Sequence, residues 1–152
     1  MLGLGHRVHL SVFIVLGAVL AAYALPVVDP GVEAMKARVS LASIGDRPHL
    51  CLQIAEHQLA EADKLYTSAD VDQAQSKLTD VVTYAELARD YSIQSHKYQK
   101  QTEIAVRVMT RKLTEVLHVL AHDDQAPVRD ALNHLQRVRD DLLAAMFKKG
   151  TK

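Results

Sequence analysis

The stretch Val71 to Leu120, VDQAQSKLTDVVTYAELARDYSIQSHKYQKQTEIAVRVMTRKLTEVLHVL, decides the fold. Taken by threes and fours, Val71, Ala74, Leu78, Val81, Ala85, Ala88, Ser92, Ser95, Gln99, Thr102, Val106, Met109, Leu113, Val116 and Leu120 keep one register. This is a heptad a/d seam, the side of a helix that packs along its length on other helices. Neither Gly nor Pro occurs between Pro48 and Pro127. Two separate helices would share such a register by chance about one time in seven. The pattern therefore predicts one long helix. Its seam turns polar at Ser92, Ser95, Gln99 and Thr102, which predicts a stretch left uncovered between its neighbours. The competing prediction is a break in that stretch, giving four helices of similar length in an up-down bundle.

On the N-terminal side, Asp46-Arg47-Pro48 reads as a helix start, with Leu52, Ala55, Leu59, Ala62 and Tyr66 following at helical spacing. Thr67-Ser68-Ala69-Asp70 ends it, and Ser68 or Asp70 can cap the next helix. Residues 48–67 and 70–91 should thus form an antiparallel hairpin. Ala62, Tyr66, Asp70, Ala74, Leu78 and Val81 resemble the small-residue, Tyr and turn positions of a tetratricopeptide repeat. Ala69 stands where that repeat prefers Gly, its terminal Pro has no counterpart after Val82, and no second copy follows. The resemblance implies hairpin chemistry rather than a repeat array. Farther upstream, Asp29-Pro30 opens a short stripe of Val32, Met35, Val39 and Ala42 that Gly45 closes. This reads as a short helix or a connector over 25–45.

On the C-terminal side, His122-Asp123-Asp124-Gln125-Ala126-Pro127 is a turn. Val128, Ala131, Leu135, Val138, Leu142 and Ala145 make the apolar face of a last helix. That helix should fold back on residues 103–122 as a second hairpin. The fold class is all-α: antiparallel helical hairpins sharing one long central helix, an elongated bundle or coiled coil spanning 46–149.

The first residues read as a targeting segment. Val8 to Val28 holds no Asp, Glu, Lys or Arg, and Ala22-Tyr23-Ala24 offers small residues before a cleavage position after Ala24. The predicted outcome is a cleaved signal peptide over 1–24. The rival is an uncleaved membrane anchor over 8–28, because this uncharged run of 21 residues is near the about 20 needed to span a bilayer. Either way the protein is expected to be exported, to the periplasm or beyond, or held at the inner membrane. In outline the chain resembles exported helical proteins of bacteria, of no defined family.

Composition narrows the function. Eighteen basic and eighteen acidic residues cancel, so no global field steers the chain toward nucleic acid. Cys51, the only cysteine, excludes an intrachain disulfide and reads as a buried thiol. There is no Gly-rich phosphate loop, no Ser-His-Asp order and no Cys-His pair. The expectation is a non-enzymatic protein-protein interaction or scaffolding module without a cofactor. Tyr84, Tyr91 and Tyr98, seven apart, form a ladder proposed as its partner surface. Homodimerisation along the seam is a further possibility.

The alternative is a metal-binding protein. Glu115, His118 and His122 lie on one helix face, and Glu-x-x-His is the ligand unit of di-iron bundles. A second such unit is missing, leaving His134 as a possible fourth ligand. Lys97, Lys100, Arg107, Arg111 and Lys112 form a basic patch that suits anionic headgroups or the acidic faces of neighbouring helices.

Overall fold

The computed structural model describes residues 29–148. All regular structure there is helical. The elements are α1 (Pro30–Leu41), α2 (Arg47–Thr67), α3 (Val71–Ser95), α4 (Gln99–Val119), a short 3-10 turn (His122–Asp124) and α5 (Gln125–Phe147). The signal or anchor segment lies outside the described residues. No helix among the described residues is long and apolar enough to cross a membrane.

Both predicted hairpins form. α2 packs most extensively on α3, α4 packs on α5, α3 runs along α5, and α4 closes the ring against α2. Glu86 meets His134 and Arg89 meets Asp141, so α3 and α5 run parallel. α1 is a fifth helix laid on the outside of α2 and α3.

The single long helix does not form. The chain reverses at His96-Lys97-Tyr98, and both His96 (φ 57°) and Tyr98 (φ 62°) adopt the left-handed region. Four helices of 21 to 25 residues result, as the competing reading predicted. A helical turn takes about four residues, and the step from Ser95 to Gln99 is also four. Three reversal residues therefore replace one turn without shifting the seam, so an unbroken register cannot separate the two cases. The left-handed residues cost about 1–2 kcal/mol each, since neither is Gly. Two tertiary contacts and the first backbone bond of α4 offset that cost. The Tyr98 ring stacks on His49 with centroids 6.1 Å apart. The Lys97 side chain lies against buried Gly45, where a Cβ would meet its Cδ at 2.9 Å. The Thr102 amide bonds the Tyr98 carbonyl at 2.8 Å.

The polar part of the seam is not left uncovered. Ser92 and Thr102 are fully buried beside the reversal, and Ser95 and Gln99 are half-buried. Ser92 donates its hydroxyl to the Arg89 carbonyl. These small residues follow Ala85 and Ala88, also fully buried, where helices approach closely. The seam is spent inside the bundle, with Val106, Met109, Leu113 and Val116 in the core.

α2 carries two interfaces. Leu52, Ala55, Leu59, Ala62 and Tyr66 face the bundle, as their spacing predicts. Cys51, Ile54 and Gln58 are also buried, Gln58 bonding Asp80 of α3. Ile54 sits about 100° from Ala55 around the helix, so α2 is buried over more than one stripe, and both α3 and α1 pack on it. Burying a side chain such as Ile54 contributes about 1.5–3 kcal/mol.

Candidate functional site

The Tyr ladder is where chain segments meet. Lys36 of α1 places its ammonium 5.7 Å from the Tyr84 ring centroid. Arg47, at the start of α2, sits 5.1 Å from the Tyr91 ring. His49 stacks on Tyr98. Each rung is thus capped by a cationic or imidazole group of α1 or early α2, and Tyr84 and Tyr91 are half-buried. Tyr98, the last rung, stays 38% exposed.

Beside the ladder lies a polar bracket that sequence reasoning missed. Gln58 of α2 is 2% exposed and donates its amide to Asp80 Oδ2 of α3 at 2.7 Å. Lys36 Nζ bonds the same oxygen at 2.9 Å and approaches Glu33 at 3.3 Å. Burial pulls the Lys36 pKa down, but its bonds to Asp80 and Glu33 outweigh this and hold it above the ordinary value. Burial likewise pushes the Tyr84 phenol up. Gln58 Oε1 and His57 Nδ1 are buried without partners among the described residues, while His57 Nε2 faces Asp29 at 3.6 Å. The signal available in the sequence was slight: Gln58 flanks the α2 seam, and Asp80 interrupts the apolar run Leu78, Val81, Val82.

The ladder ends in an apolar patch. Leu41 is 88% exposed, Ile44 39% and Tyr98 38%. A groove of about 390 Å³ joins Leu41 to Tyr98 along Arg38, Ala42, Asp46, His49 and Leu50. The periodicity of α1 and the chain reversals did not reveal this grouping, because it is assembled from the α1–α2 loop and the α3–α4 turn.

This chain matches no protein-family model, no curated protein and no solved structure. Its function is therefore argued from its own geometry.

The metal candidates do not assemble. Glu115, His118 and His122 are all exposed. Glu115 lines a groove of about 290 Å³ between α2 and α4, beside Asp63, Tyr66, Lys112 and Val119. His134 lies on the α3 side of α5, where its Nδ1 pairs with Glu86 at 2.9 Å. Among the described residues no three His, Cys, Asp or Glu side chains converge on a metal position. Of the basic patch, Lys97, Lys100, Arg107, Arg111 and Lys112 are exposed. The one acid within that stretch, Glu103, is buried and held by Arg139 Nε at 2.9 Å, with Arg107 at 3.8 Å.

Cys51 is fully buried, and burial raises its thiol pKa to about 11. Such a thiol is neither a nucleophile nor a ready metal ligand at neutral pH.

Proposed function

We propose that this protein is an exported, non-enzymatic helical interaction module that binds a protein partner through the end of the bundle formed by Leu41, Ile44 and Tyr98. One observation supports this reading best. Three of the seven most exposed large apolar residues of the described chain gather at that end, two of them along one groove. Scattered exposed apolar residues are ordinary, whereas a grouped patch rimmed by polar residues marks a contact surface. Arg38, Asp46 and His49 supply such a rim. Export rests on the apolar N-terminal segment and its Ala22-Tyr23-Ala24 motif.

The ladder then has a divided role. Tyr84 and Tyr91 bind the protein's own chain, and Tyr98 is the rung that remains for a partner. A photo-crosslinking amino acid at position 98 in intact cells tests this. The expected result is a discrete adduct that disappears when Leu41→Ser is added and does not form from position 133 on the outer face of α5. Equal labelling from both positions would remove the assignment.

A further inference from the structure

We propose that the outward face of α4 docks on a lipid bilayer that carries anionic phosphate headgroups. Lys100, Arg107 and Arg111 pair with the phosphates, and Ile104 and Val108 enter the headgroup layer between them. The inference goes beyond the interaction reading above and rests on a different surface.

The face follows from helix geometry. At about 100° per residue, Lys100, Ile104, Arg107, Val108 and Arg111 share one strip about 100° wide and about 17 Å long. It lies opposite Val106, Met109, Leu113 and Val116, which fill the core. All five residues are exposed, Ile104 by 40% and Val108 by 44%. Lys97 and Lys112, which the sequence groups with these cations, turn away from the strip. Lys97 lies against Gly45, and Lys112 lines the groove between α2 and α4.

The bundle leaves these charges unused. Among the described residues, Lys100 and Arg111 pair with no carboxylate, and Arg107 reaches Glu103 alone, at 3.8 Å. Glu103 is buried and already held by Arg139 at 2.9 Å. No other acid occurs between Tyr91 and Thr114. The first exposed acid, Glu115, comes about one turn past Arg111. The acidic faces of neighbouring helices therefore do not take up this patch. Three such cations on one strip complement an anionic surface, and each multiplies binding about fivefold.

Shape selects a bilayer over an acidic protein. The strip is the convex crest of a helix whose other side is packed in the core. Neither groove described above includes any of its five residues. Anchors between proteins fill pockets, and Lys is depleted from such contacts. A bilayer needs no pocket. It yields around projecting side chains, so long cationic ones reach the phosphates while short aliphatic ones sink among the headgroups.

The test uses the full chain carrying Ile104→Trp. The protein has no other Trp, so the indole reports on this face however residues 8–28 associate with lipid. The expected result is blue-shifted emission with vesicles of phosphatidylglycerol and phosphatidylcholine in equal parts, and no shift with phosphatidylcholine alone. Salt at about 1 M, where the screening length is about 3 Å, should abolish the shift. Lys100→Gln, Arg107→Gln and Arg111→Gln together should remove it too, through an about hundredfold loss of binding, and leave the melting midpoint unchanged. Arg129→Gln and Arg137→Gln, at exposed positions of α5, should leave the shift intact. An equal shift with phosphatidylcholine, a shift that survives the three α4 substitutions, or no shift at all overturns the inference. An equal response to polyglutamate also overturns it and assigns the face to an acidic protein. None of these outcomes touches crosslinking from position 98.

Discussion

Three reversals join the long helices of this bundle, and the first two are held in different ways. At Ser68-Ala69-Asp70 the local sequence carries the turn. Asp70 caps α3, accepting from the Gln73 amide at 3.4 Å and the Gln73 side chain at 2.6 Å. Ser68 bonds the Leu65 carbonyl, and the Asp70 amide bonds Leu65 as well. At His96-Lys97-Tyr98 the α4 N-cap is Tyr98, which offers no side-chain cap. This turn has one local side-chain bond, Ser95 Oγ accepting from the Lys97 amide at 3.3 Å, and otherwise packs on His49 and Gly45, far away in the chain. Both turns contain left-handed residues that are not Gly, Ala69 (φ 61°) in the first and two in the second. Absence of Gly is thus no evidence against a reversal.

The largest expected effect comes from filling the space the second turn encloses. Ser92→Leu should destabilise by about 2 kcal/mol, since it overpacks a fully buried site. Ala74→Leu is the counterpart near the first turn and should behave alike. A silent Ser92→Leu in denaturant titrations would mean that the chain does not fold back at 96–98.

The next effect separates the two turns. Asp70→Ala should cost about 1 kcal/mol through loss of its cap. His96→Gly should instead gain about 1 kcal/mol by relieving the left-handed backbone. Ala69→Gly should gain a similar amount, so the three variants distinguish backbone strain from capping. A loss in His96→Gly would assign the turn to the imidazole rather than to its surroundings.

A further sharpening lies just past the second turn. Thr102 Oγ1 is buried without a partner among the described residues. Thr102→Val keeps the shape, removes that hydroxyl and should raise stability by about 1 kcal/mol, seen as a higher denaturation midpoint. An unchanged or lowered midpoint would place a bonded group at this hydroxyl.

The smallest effect concerns how far α1 supports each turn. Lys36→Met should quicken amide exchange a few-fold at Thr102, near the α1–α2 loop, and leave Asp70 unchanged. Its cost should also depend on pH. The folded Lys36 pKa is raised, so its contribution is complete below the ordinary value of 10.5 and fades as pH rises through the folded value. The gap between the two proteins should therefore close in strongly alkaline solution. A gap that persists there would assign the effect to packing of the Lys36 stem.

The candidate site was legible in pieces. Tyr84, Tyr91 and Tyr98 were visible as a ladder because their spacing of seven places them on one face, but nothing local told that Lys36, Arg47 and His49 would cap them. Glu115, His118 and His122 were visible by spacing too, and that spacing brings no fourth ligand near them. Leu41 and Ile44 were invisible as a patch, being ordinary apolar residues until the turn at 96–98 brings Tyr98 beside them.

The sequence by itself determined the helices, the buried seam, the first turn and the pairing within each hairpin. Those features depend on periodicity, caps and short links, which act over a few residues. Only the tertiary structure decided that the 71–120 seam belongs to two helices, that α1 pairs with Asp80, and that the ladder is mostly occupied. Three reversal residues and one helical turn occupy the same register. The choice between them is made by contacts with residues about fifty positions away, His49 and Gly45, which no local pattern records.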